Sequence, residues 1–95
     1  MTALTISGTV TAVVNSNRQG LSNASVLILD TDRNLLASTA SDDNGDYTIS
    51  VDLQADANNQ VACFDLYQKD GFHTVYRFIT ATVAQVEVDV DMITW

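Results

Sequence analysis

The chain has 95 residues, 46% of them hydrophobic, and carries 12 acids against four bases for a net charge of −8. That length fits one domain, residues 1–95, with a single core. The charge excludes the basic face that nucleic acid or an anionic lipid surface requires, and no apolar run approaches the roughly 18 residues of a membrane helix.

The opening MTALTISGTV has neither a basic n-region nor a continuous apolar h-region, so a signal peptide is not expected unless the chain is a mature or excised piece. From there period-two alternation dominates and helical periodicity is absent. In LTISGTVTAVV, Leu4, Ile6, Val10, Ala12 and Val14 share one face, and Thr5, Ser7, Thr9 and Thr11 share the other. NSNRQG, 15–20, reads as a polar turn closed by glycine. ASVLILD, 24–30, is a short strand that is apolar on both faces after Ser25, and TDRN turns the chain. LLASTAS, 35–41, is a weaker strand. DYTISV, 46–51, places Tyr47, Ile49 and Val51 inward, and Asp46, Thr48 and Ser50 outward. After the polar LQADANNQ comes VACFDLYQ, 61–68, whose inward side alternation does not decide. KDG breaks that strand. FHTVYRFITAT, 72–82, is rich in aromatic and β-branched residues, and QVEVDVDMITW alternates Val86, Val88, Val90 and Met92 against Glu87, Asp89 and Asp91. Seven short strands with turn signals at roughly ten-residue spacing predict an all-β, seven-stranded antiparallel β-sandwich.

The acidic stretch SDDNGDY raises the question of a metal site. Asn44-Gly45 between alternating strands is a hairpin signal, since both residue types tolerate positive φ, and Asp42 and Asp43 can cap backbone amides at the corner. A calcium loop needs six to eight oxygens from a longer winding segment. Asp42, Asp43 and Asp46 are weak candidates for a surface cation, with Asp30 and Asp32 as further donors if their loop lies nearby. The expectation is a plain corner with no metal and no cofactor.

Set in order, these segments resemble the carboxypeptidase regulatory-like family, a transthyretin-like (prealbumin-type) sandwich akin to collagen-adhesin B-type domains. Gly8-Thr9-Val10 matches the family's Gly-x-Val opening strand. Gly20, Leu21, Ala24 and Val26 match the entry to its second strand, and Ser41, Asp42, Gly45 and Tyr47 its hairpin. Gly71-Phe72 matches a late Gly-aromatic step. The family's Pro-Gly-x-Tyr before the fifth strand is replaced by QADANNQVAC, and the usual proline before the late glycine is Asp70. The resemblance implies an Ig-like or transthyretin-like Greek key. It also implies a non-catalytic structural or protein-interaction module of a bacterial or phage surface, secreted or secretion-apparatus protein, hence an extracytoplasmic or virion location. The alternative is a carbohydrate- or cation-binding accessory module.

Enzymes of related fold need residues this chain lacks. Hydroxyisourate hydrolases use several histidines and a Tyr-Arg-Gly-Ser tail, and intradiol dioxygenases ligate iron with two tyrosines and two histidines. This chain has one histidine, His73, and ends in MITW. Cys63, the lone cysteine, sits in an apolar strand and reads as a buried, inert thiol. The lysine–asparagine isopeptide bond of collagen-adhesin B-type domains needs a first-strand lysine, whereas the sole lysine here is Lys69. Binding remains. The strand around residue 75 is apolar on both faces, and Val75, Arg77 and Ile79, joined by Trp95, are the candidate contact residues for a protein partner, a neighbouring domain or a second copy in a homo-oligomer. Tyr67 is the one candidate for a sugar-stacking tip.

Overall fold

The computed structural model describes residues 2–94. Nine strands form among them: β1 (Thr2–Val14), β2 (Asn17–Gly20), β3 (Ser25–Leu29), β4 (Leu35–Ala40), β5 (Asp46–Leu53), β6 (Val61–Gln68), β7 (Val75–Ala81), β8 (Gln85–Glu87) and β9 (Val90–Met92). They build two sheets packed face to face. The first sheet is organised on β1, which pairs with β2, β5, β8 and β9; the second runs β4-β3-β6-β7. Leu4, Ile6, Val10, Tyr47, Ile49 and Val51 from the first sheet meet Val26, Ile28, Val61, Cys63 and Tyr67 from the second in one core.

The strand count corrects the expected seven, for two reasons. First, Asn15 and Ser16 both take positive φ, 52° and 69°, which folds the chain straight back so that Asn17–Gly20 pairs antiparallel with the end of β1. Two consecutive positive-φ residues make the tight turn whose twist suits a hairpin. Second, QVEVDVDM is interrupted. β8 pairs with Thr5–Ser7 and β9 with Val10–Ala12, and both run parallel to β1, which also corrects the all-antiparallel expectation. Between them the Val88 N–H donates to the Ser7 carbonyl at 2.8 Å, and the Asp89 carboxylate accepts the Thr9 N–H at 2.9 Å. A side chain thus stands in for a missing ladder bond. Gly8 lies beneath this crossing, and a Cβ there would sit 1.9 Å from the Val88 carbonyl oxygen. Past β9 the chain meets the connection between β6 and β7, where the His73 N–H donates to the Ile93 carbonyl at 2.8 Å.

The acidic corner is one of three turns with the same wiring. Asp30, Asp42 and Asp56 each place one carboxylate oxygen on the N–H groups two and four residues ahead, at 2.8–2.9 Å. In each turn the aspartate's own carbonyl accepts the N–H three residues on. The residue in that third place has positive φ: Arg33 at 67°, Gly45 at 84° and Asn59 at 61°. Aspartate satisfies amides that a tight corner would leave bare, which is why the acids gather there. The three turns join β3 to β4, β4 to β5 and β5 to β6.

Candidate functional site

Two features stand out from this frame: a polar chain inside the core and an apolar face outside it. The polar chain begins at Asp65, on the inward side of β6 and wholly buried. Its carboxyl oxygens meet the Cys63 thiol at 3.5 Å and the Tyr67 hydroxyl at 3.2 Å. The Tyr67 hydroxyl lies 2.7 Å from that of Tyr47 on β5, which donates to the Val88 carbonyl at 2.6 Å. A carbonyl only accepts, so the Tyr47 proton goes to Val88, and the Tyr67 hydroxyl donates to the Asp65 carboxyl.

Asp65 stands apart from the other acids by its complete burial. Burial raises its pKa, outweighing the hydrogen bonds from Cys63 and Tyr67. Burial also pushes Tyr47 up to about 12 and Tyr67 higher still. The Cys63 thiol rises to about 12, through burial first and then the neighbouring carboxyl. Across the strand pairs Asp65 faces Ile28 of β3 and Arg77 of β7. Arg77, on the open edge strand, is exposed, and its guanidinium bonds the Tyr76 carbonyl at 2.9 Å. Every buried polar side-chain atom among the described residues has a partner. This assembly ties the sheets together and offers no exposed nucleophile.

The outer face of the second sheet is different. The strand registers align Leu27, Leu66 and Tyr76 in one row and Leu29, Phe64 and Phe78 in the next. Tyr76 is 62% exposed and Phe78 58%, while the four residues beside them are half-buried. Phe64 and Phe78 stack at 5.0 Å between ring centroids, and the Arg33 guanidinium covers Phe64 at 5.4 Å. A shallow groove of about 370 Å³ runs between Leu29, Arg33, Phe64, Tyr76, Arg77 and Phe78.

Of the sequence-predicted contact residues, Arg77 lines this groove. Val75 and Ile79 are half-buried and pack against the core, and Arg77, paired with inward Asp65, shares their side of β7. The open side belongs to Tyr76 and Phe78. Trp95 lies outside the described residues. Tyr67 is buried at the centre of the polar chain, which removes it as a sugar-stacking tip. Asp42, Asp43 and Asp46 lie at an exposed corner where Asp42 is occupied by backbone amides and Asp46 accepts from the Thr9 hydroxyl at 2.9 Å. Among the described residues no group of three or more potential ligand side chains converges.

The architecture is a β-sandwich of the kind found in Gram-positive pilins. The chain is similar to the shaft pilin SpaA from Lactobacillus rhamnosus GG, with a TM-score of 0.70 and 13% identity over 99% of this chain and 50% of that one. It is similar to GBS52, the minor pilin of Streptococcus agalactiae, at TM-score 0.64 and 8% identity, covering 99% of this chain and 45% of that one. A third likeness is to the Bacillus anthracis TIE protein, with a TM-score of 0.62 and 10% identity over 96% of this chain and 18% of that one. The chain thus spans about half the length of the pilins and under a fifth of the third protein. No family model matches the sequence, and no curated protein matches it.

Proposed function

We propose that this chain is a non-catalytic structural and protein-interaction module of a bacterial surface or secretion assembly, and that it meets its partner on the outer face of the second sheet. The observation that carries the reading is the pair of apolar rows on that face. Six large apolar side chains sit on the outer side of β3, β6 and β7, where an isolated domain would place polar ones. Two aromatics among them are more than half exposed. Arg77 stands on the inner side of the edge strand β7 with Val75 and Ile79, and it lines the groove from that edge. The likeness to pilin domains supports a structural role, and the ordered glycine and turn signals support kinship with the carboxypeptidase regulatory-like sandwiches. The absence of catalysis fits a titratable cluster shut away from solvent inside the core.

Paired photo-cross-linkers test this reading in the producing cell, one replacing Phe78 and the other Thr48 on the outer face of β5. A discrete protein adduct from position 78 and none from position 48 is expected. Equal adducts from both positions, or adducts from position 48 alone, would contradict it.

A further inference from the structure

We infer that the groove on the second sheet takes a short polypeptide segment that carries apolar side chains flanked by carboxylates. This deepens the reading above and rests on it. The first argument is size. Two rows across three strands cover on the order of 200–300 Å², given strands about 4.8 Å apart. A stable protein dimer needs about 800 Å² on each partner. The apolar patch is too small for a second copy to hold face to face and suits the width of a single segment.

The second argument is charge. The chain has four bases, and two of them, Arg33 and Arg77, line the groove, while none of the six lining residues is acidic. Of the other two bases, Arg18 pairs with Asp91 at 3.1 Å on the first sheet. Asp65, the acid paired across the strands with Arg77, points into the core, where its contacts are with Cys63 and Tyr67. Asp30, in the same turn as Arg33, is held ionised by the turn's own amides and offsets part of that arginine's charge, and Asp32 precedes Arg33 in the chain. The lining of the groove is nevertheless basic, with two arginines and no acid, on a protein whose net charge is −8. Salt screens charges beyond roughly 8 Å, so a ligand seated in the groove is governed by the residues that line it. Arginines over aromatic rings beside an apolar floor recognise carboxylates next to Leu, Phe or Tyr side chains.

The test is selection of a random 12-residue phage-displayed peptide library on the purified 95-residue chain. It is followed by amide shift mapping, and by titration against Arg33→Glu/Arg77→Glu and Tyr76→Ser/Phe78→Ser. Both pairs are exposed, so unchanged melting temperatures are expected to certify the variants. The inference predicts enrichment of Asp or Glu beside aromatic or aliphatic residues and shifts centred on Phe64, Tyr76 and Phe78. It predicts binding weakened at least tenfold by either variant pair and further by salt. Peptides that bind the groove without acids, or that ignore the charge reversal, would overturn the acidic segment and leave protein docking at this face standing. The inference is also overturned if no groove-dependent peptide emerges, if the chain instead self-associates through Tyr76 and Phe78, or if saccharides alone occupy the face. In those cases the photo-cross-linking contrast decides the docking reading separately.

Discussion

The two sheets share a core and differ on the outside. On the first, β5 presents Asp46, Thr48, Ser50 and Asp52 to water, and the β8–β9 segment presents Glu87, Asp89 and Asp91. Several of these are engaged with one another or with β1: Thr5 with Ser50 at 2.9 Å, Thr9 with Asp46, and the Thr9 N–H with Asp89. That face is complete and charged, which discourages association. On the second sheet the same alternation places Leu and Phe where the first has Thr and Asp. A strand buried on one face needs only one apolar side, so the second apolar side of β3, β6 and β7 is unexplained by folding alone. The contrast separates what the sequence spends on structure from what it leaves for contact.

Substitutions on either side sharpen this contrast, and the largest effect belongs to the first sheet. Gly8→Ala drives a Cβ into the Val88 carbonyl, a backbone atom that cannot rotate away. We predict a loss of about 3 kcal/mol, at the upper end for overpacking, with exchange protection lost first across β8 and β9. An unaltered unfolding midpoint would show that the crossing at Val88 is not held as described.

The next effect lies between the sheets. Asp65 is raised above its unfolded value near 3.9, so the stability it supplies is full below about pH 4 and falls as pH rises toward its folded pKa. The fall is at most about 1.4 kcal/mol per pH unit from this one group. Asn at position 65 has no charge to bury. Asp65→Asn is predicted to flatten the fall in stability that begins above about pH 4. A profile with the same slope in both proteins would refute the raised pKa.

Smaller still is Arg33→Gly, which relieves a positive φ of 67° at a corner where Gly45 already serves the equivalent place. A gain of about 0.4–1 kcal/mol is expected from strain relief, set against lost contact with Phe64. A marked loss of stability would mean that the arginine's cover of the ring matters to folding. The smallest effect is predicted for Tyr76→Ser/Phe78→Ser. Both residues are exposed, so stability should move by no more than about 0.5 kcal/mol per site. A loss of several kcal/mol would make these rings part of the fold and end the contrast between the faces.

Much of this was legible in the sequence, and the limits have physical causes. Alternation alone orients β1, β5 and β9, because each has one polar and one apolar side. It cannot orient β6 or β7. Asp65 carries the polar signal on β6 yet lies inward, since Phe64 and Leu66 are as apolar as Cys63 and Tyr67. With both sides apolar, the pairing of Asp65 with Arg77 decides, and only structure supplies that pairing. That is why Val75 and Ile79 read as an open side when Tyr76 and Phe78 are the exposed pair. The turn at Asp42 was readable from Asn44-Gly45, but Asp30 and Asp56 build the same turn around Arg33 and Asn59, which are not glycine. The break between β8 and β9 left no sequence mark beyond Gly8, a residue that equally suits an opening-strand family signal.

The division between the two faces is tested most directly by hydroxyl-radical footprinting of the chain in its native assembly and as the purified protein. Val83 and Ile93, exposed at 60% and 69%, lie outside the groove and serve as internal references. The account predicts that oxidation of Tyr76 and Phe78 falls severalfold in the assembly while Val83 and Ile93 react as before. Undiminished oxidation of Tyr76 and Phe78 in the assembly would contradict it.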